Sequence, residues 1–138
     1  SRVGGAALTK AMRQVAGRMR LDMASYRELA AFAQFGSDLD KASQAQLNRG
    51  QRLQEILKQP QYVPMPPEHE VMVLFAGING FIDTIPVERV KIWQNAMLRY
   101  METSYPEVGK DIAERKQITK DTEARLREAL HNFNATFH

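Results

Sequence analysis

Few side chains in this protein are of types that do chemistry, and their spacing limits what they can do. The three histidines, His69, His131 and His138, are scattered, and none stands at a spacing that joins it to a carboxylate as a metal ligand. They read as exposed helical or terminal residues. Asp38 and Asp40 lie two apart at what reads as a helix start. There they favour the helix dipole or present negative charge to a basic partner, and no metal-binding loop pattern surrounds them. The sequence has no cysteine, which excludes disulfides, thiolate metal sites and a cysteine nucleophile. It contains no GxxxxGK[ST], GxGxxG or GxSxG string, and no serine–histidine–acid set can be assembled from it. Asn134-Ala135-Thr136 fits a glycosylation sequon and is read as coincidence. Taken alone, this piece is not an enzyme.

Charge adds one feature. The 138 residues carry 19 basic and 16 acidic side chains, a net +3. Residues 1–20 hold Arg2, Lys10, Arg13, Arg18 and Arg20 and no acid, so a local +5 faces a remainder of −2. Such a segment suits a nucleic acid, an anionic lipid surface or a phosphate ligand, and equally the solvated face of a helix. A hydrophobic content of 43% and a charged content of 25% are those of a globular domain with a real core. The longest apolar run, Val71 to Ile78, is far short of the roughly 20 residues of a membrane span. With no cationic-then-apolar start, the protein reads as soluble and intracellular.

The elements that would position these groups are helical. Leu8, Met12, Val15, Met19, Met23, Tyr26, Ala30 and Ala33 step by three or four, one apolar stripe that Gly17 could bend. Gly36 suits the end of that helix. Ser37-Asp38-Leu39-Asp40 reads as a capping box opening a second helix, with Ala42, Ala45, Leu53, Ile56 and Leu57 inward and an end near Lys58. Four prolines between residues 60 and 67 impose an extended connector. A third helix starts at Pro67 and Glu68, and its body, Val71 to Ile82, is apolar nearly all round, so it belongs in the middle. Pro86 opens a fourth, with Val90, Trp93, Met97 and Met101 inward, ending before Pro106. A weaker segment covers Val108 to Lys116, and Thr119 caps a last helix bearing Leu126, Leu130, Phe133 and Phe137. The reading is all-α, a single bundle of five to six helices. Met12, Met19, Met23, Met72, Met97 and Met101 fall on its apolar stripes as core filling.

Particular strings go further than periodicity. Ser1-Arg2-Val3-Gly4-Gly5-Ala6-Ala7 and Ala11-Met12-Arg13-Gln14-Val15-Ala16-Gly17 resemble the alpha subunit of F-type ATP synthases. The fifteen residues from Tyr26 to Asp40, YRELAAFAQFGSDLD, are similar to that subunit's most recognisable C-terminal stretch. Leu47-Asn48-Arg49-Gly50-Gln51-Arg52-Leu53, Lys58-Gln59-Pro60-Gln61-Tyr62 and Ala76-Gly77-Ile78-Asn79-Gly80 continue it in order. The resemblance is dense to about residue 85 and looser beyond. Leu8 and Pro67 depart from the family pattern and touch no site.

The resemblance implies the all-helical C-terminal domain, residues 8–138, preceded in 1–7 by the end of a nucleotide-binding domain. The family's whole subunit alternates with beta subunits in a three-plus-three ring around a rotating gamma shaft. Proton flow turns that shaft, and its rotation drives ATP synthesis. The alpha subunit is non-catalytic and regulatory, holding ATP or ADP with Mg²⁺ without turnover; this piece alone would hold none. The assembly is peripheral, on the cytoplasmic face of a bacterial inner membrane or the equivalent organelle face, with no direct membrane insertion.

Three places carry over. Arg2 stands at the arginine finger that reaches into the neighbouring beta catalytic site, where a rigid fork of donors suits a terminal phosphate. Gln59 and Gln61 match glutamines beside the adenine of the non-catalytic site, an amide offering both donor and acceptor. Gly36, Ser37, Asp38, Leu39 and Asp40 form a tip resembling the acidic shaft-facing loop of the beta subunit. With fewer acids, it is expected to act as a bearing contact rather than the main lever. The rival reading is a stand-alone helical interaction module, binding nucleic acid through the +5 segment. Against it, that segment lacks the interleaved aromatics of a base-stacking surface, and no nucleic-acid partner is expected.

Overall fold

The computed structural model describes residues 9–34, 38–58 and 65–137. Among these, six α-helices occur and no strand: α1 (Lys10–Gln34), α2 (Lys41–Leu57), α3 (Pro67–Ile78), α4 (Val90–Ser104), α5 (Pro106–Arg115) and α6 (Lys120–Thr136), with a 3-10 turn, Val87–Arg89, leading into α4. The all-α bundle expected from the spacing is the fold observed.

α3 is the axle of the packing, touching α1, α2, α4 and α5. Every residue from Val71 to Ile78 is buried, which is why no polar face interrupts that stretch. It stops at Ile78, four residues short of the expected Ile82. Asn79 caps it and Gly80 takes a left-handed φ of +85°, which breaks the helix while Ile82 still turns back into the core. Around α3, α1 contributes Met12, Val15, Met19 and Met23, α4 contributes Val90, Trp93, Met97 and Met101, and α6 contributes Leu126, Ala129, Leu130 and Phe133. Trp93 meets the Phe133 ring edge-on at 5.7 Å between centroids.

Two helix crossings depend on glycine. A Cβ on Gly50 of α2 would run into the Tyr26 ring of α1, and one on Gly77 would come within 2.6 Å of Leu53 Cδ2. The strings that carry the resemblance thus include the residues that let α1, α2 and α3 approach. Beyond these crossings α1 and α2 run on as a hairpin whose outer half contributes no buried residue among those described. Ala31, Phe32, Ala33, Ala42 and Ala45 are not buried there. Ala33, Ala42 and Ala45 were expected inward; they lie past the end of the core, as Leu57 does at the other end of α2.

The first helix is also fastened to the far end of the sequence. Lys116, in the left-handed region at φ 56°, ends α5, and its carbonyl accepts the Ala11 N–H at 3.0 Å. The Gln14 side chain accepts the Ile118 N–H at 3.1 Å. Thr119 caps α6 as expected, accepting the Thr122 N–H.

Candidate functional site

Of the residues expected to act, Arg2, Gly36, Ser37, Gln59 and Gln61 lie outside the described residues. Asp38, Leu39 and Asp40 are described, at the outer end of the hairpin, with both acids exposed and Leu39 half-buried. The cap of α2 is Asp40, not Ser37. Its Oδ1 accepts the Ser43 N–H at 2.8 Å, its carbonyl accepts the Gln44 N–H, and the Gln44 side chain returns to the Leu39 carbonyl at 3.2 Å. A short acceptor is needed where the first turn leaves N–H groups without helical partners. The hydrogen bonds from Ser43 hold the Asp40 carboxyl below its ordinary range. Asp40 is therefore committed to building the tip, and Asp38 is the acid left facing outward. This arrangement offers a surface contact; it brings together no nucleophile and base.

The base of the hairpin is a clamp. Arg49 of α2 grips Asp83 through two nitrogens, Nη2 to Oδ2 at 2.8 Å and Nε to Oδ1 at 3.1 Å. Arg52 Nε donates to the Ile85 carbonyl at 2.9 Å, and Asn48 Nδ2 donates to the Asp83 carbonyl at 3.2 Å. Hydrogen bonding to Asp83 raises the Arg49 pKa above its ordinary value. Three side chains of one α2 turn thus bind the segment between α3 and α4, and Gly80 sits against the Arg49 guanidinium where a Cβ would not fit. A single arginine fork satisfying a carboxylate is more specific than a point charge. The hairpin is in this way tied to the core at its root.

The far end of α2 is held by two further bonds. The Lys58 N–H bonds the Glu55 carbonyl, and Lys91 Nζ reaches the Ile56 carbonyl at 3.4 Å. Burial lowers the Lys91 pKa from its ordinary value.

Other polar residues take parts that spacing does not indicate. Asn134, whose sequon reads as coincidence, accepts the indole N–H of Trp93 at 2.7 Å and donates to the Phe81 carbonyl at 2.7 Å. His69 was expected to be exposed and apart from carboxylates. It is half-buried, with Nε2 3.3 Å from Glu102 Oε1 across the α3–α4 interface. The pair rims a cavity of about 210 Å³ floored by Met72 and Met101. The cavity lining has no serine, threonine or cysteine to act as nucleophile. Among the described residues no group of three or more His, Asp or Glu is placed to hold a metal ion, and no helix is long and apolar enough to cross a membrane. Arg125 bridges α5 to α6 through Asp111. These pairings were invisible in the sequence because each joins residues brought together only by the bundle.

Comparison with known proteins gives the arrangement its family. Residues 9–133 match the family described as ATP synthase alpha/beta chain, C terminal domain. Over 137 residues, 99% of its length, the protein is 52% identical to an ATP synthase subunit alpha of Desulforudis audaxviator. It is likewise 52% identical to one from Clostridium botulinum strain Langeland, and 51% to another from strain Hall. In each case the match spans 27% of the relative's length, so the sequence corresponds to about a quarter of those proteins. With its described helices matched almost end to end, it belongs to the family formed by the C-terminal domains of ATP synthase alpha and beta subunits.

Proposed function

We propose that the protein serves as the C-terminal helical domain of an ATP synthase alpha subunit, in the peripheral catalytic sector of a rotary, proton-translocating enzyme. The observation that carries this reading is the 52% identity over 99% of the sequence to proteins named ATP synthase subunit alpha. In that setting Arg2 is the arginine finger toward a neighbouring beta site, supplying charge to a phosphoryl group in the transition state. Gln59 and Gln61 take the adenine edge of a non-catalytic nucleotide held with Mg²⁺ by the intact subunit. The tip from Gly36 to Asp40 bears on the gamma shaft, with the Arg49–Asp83 clamp anchoring the hairpin that carries it. The domain would sit on the cytoplasmic face of a bacterial inner membrane, or its organelle counterpart, and contribute in trans to catalysis without catalysing alone.

The test uses the intact complex. Arg2→Lys should assemble normally and lose most multisite turnover, by about 10³-fold or more, because a lysine point charge cannot reproduce the fork. Turnover within a few-fold of the parent would overturn the finger assignment.

A further inference from the structure

The protein has seven lysines, and the structure describes all of them. Lys10, Lys41, Lys58, Lys110, Lys116 and Lys120 are exposed. Lys91, in the first turn of α4, is the one that folding leaves half-buried. Its Nζ comes to rest 3.4 Å from the Ile56 carbonyl, in the last turn of α2. Among the described residues Lys91 makes no ion pair. The acid whose charge acts on it, Glu55, is itself held by Lys58, with Nζ 3.0 Å from Oε2.

An ammonium in this setting loses more than it gains. Burial strips hydration from the charged form, and one neutral carbonyl returns little of it. Burial accordingly lowers the Lys91 pKa, the Glu55 charge opposes the shift, and the Lys58 charge adds to it. A partly desolvated lysine beside a second cation keeps its lone pair free under conditions where an ordinary lysine is protonated, and so becomes a nucleophile. The contact also lies at an edge of the α2–α4 interface. Leu57 and Ile92, next in sequence to the two residues that meet, are 50% and 55% exposed, so a small solute can reach the amine.

We propose that Lys91 is a site of covalent modification, taking acyl groups from small acyl phosphates. The nitrogen lone pair attacks the acyl carbon and forms an amide C–N bond. The C–O bond to the phosphate breaks, and the departing phosphate keeps that electron pair and takes up the proton that the amine gives up. Nothing is oxidised or reduced. The Lys58 ammonium favours the approach of the phosphate dianion. The product is uncharged, so the end of α2 loses a charge-assisted tie to α4.

The test treats the folded 138-residue protein with acetyl phosphate at neutral pH and follows each lysine by peptide mass spectrometry. Lys91 should be acetylated at least about threefold faster than any of the six exposed lysines. That lead should vanish in denaturing guanidinium. It should also shrink as pH rises toward the ordinary lysine value of about 10.4, where every amine gains its lone pair. Glu55→Gln should quicken the labelling of Lys91 and Lys58→Gln should slow it, each by about twofold or more, with helix content by circular dichroism unchanged. Equal rates at Lys91 and the exposed lysines would overturn the proposal. So would a lead that survives denaturation, or indifference of Lys91 to both substitutions.

Discussion

Asn134→Ala should be among the costliest single polar substitutions in the bundle. Asn134 closes a path from α4 to α6 to the α3–α4 turn, accepting from Trp93 Nε1 at 2.7 Å and donating to the Phe81 carbonyl at 2.7 Å. Alanine removes both partners at once. Trp93 is fully buried, so water cannot readily replace its bond, while Phe81 is half-buried and its carbonyl keeps some access to solvent. An orphaned buried group costs about 1–3 kcal/mol and the half-buried carbonyl about 1 kcal/mol, giving roughly 2–4 kcal/mol together, or about 7–14 °C in Tm for a domain of this size. Urea unfolding followed by helical circular dichroism reads the loss. The fluorescence of Trp93, the sole tryptophan, reports on the same locus. In a Trp93→Phe background the indole donor is already gone, and Asn134→Ala should cost about 1–2 kcal/mol less there. A loss below about 0.5 kcal/mol, or the same loss in both backgrounds, would refute the reasoning.

Three further outcomes follow from particular contacts. Gly17 and Gly50 are both inside helices, yet their alanine variants should differ in sign. Gly17→Ala meets open space and should stabilise by up to about 1 kcal/mol, whereas Gly50→Ala meets Tyr26 and should destabilise by about 1–2 kcal/mol after the propensity gain; parallel thermal melts compare them. Arg49→Lys keeps the charge but loses the fork on Asp83 and should cost about 1–2 kcal/mol, discounted for partial exposure, with hydrogen exchange rising first in the α1–α2 hairpin rather than in α3. Asp40 has a folded pKa below its unfolded value, so its cap stabilises α2 above the ordinary value of 3.8 and is lost as pH falls through the folded pKa. Amide exchange at Ser43 should quicken over that acid range in the parent and be pH-independent there, beyond intrinsic exchange chemistry, in Asp40→Asn.

The bundle was legible because its core obeys helical spacing. Met12, Val15, Met19 and Met23 on α1, and Val90, Trp93, Met97 and Met101 on α4, are buried as their three-and-four steps imply. Periodicity failed where a helix outruns its neighbours. Ala42 and Ala45 have the right phase, but phase cannot say that they lie past the end of the buried core. It failed again at Ile82, whose burial comes from a turn made by Gly80 and not from a continued helix. The site was legible by resemblance more than by chemistry. Resemblance makes Asp40 part of a tip, and the structure adds that its carboxylate is spent on Ser43. Asn134 and His69 escape a reading by spacing because a lone polar residue on a helix bears no mark of the partner it will meet across the bundle.

The fastening of α1 to the far end of the sequence has a bearing on folding order and on force. The Gln14–Ile118 hydrogen bond joins positions 104 apart, and the Ala11–Lys116 bond lies beside it. The α1–α2 and α5–α6 pairs can form from contacts nearby in sequence, while this closure must wait for both ends to be ordered. Bonds made after the transition state govern how fast a fold comes apart more than how fast it assembles. The closure is thus a late latch on the bundle, holding the N-terminal turn of α1. A pull on the first turn of α1 would load the turn between α5 and α6 directly, placing a segment more than a hundred positions away first in the path of any strain.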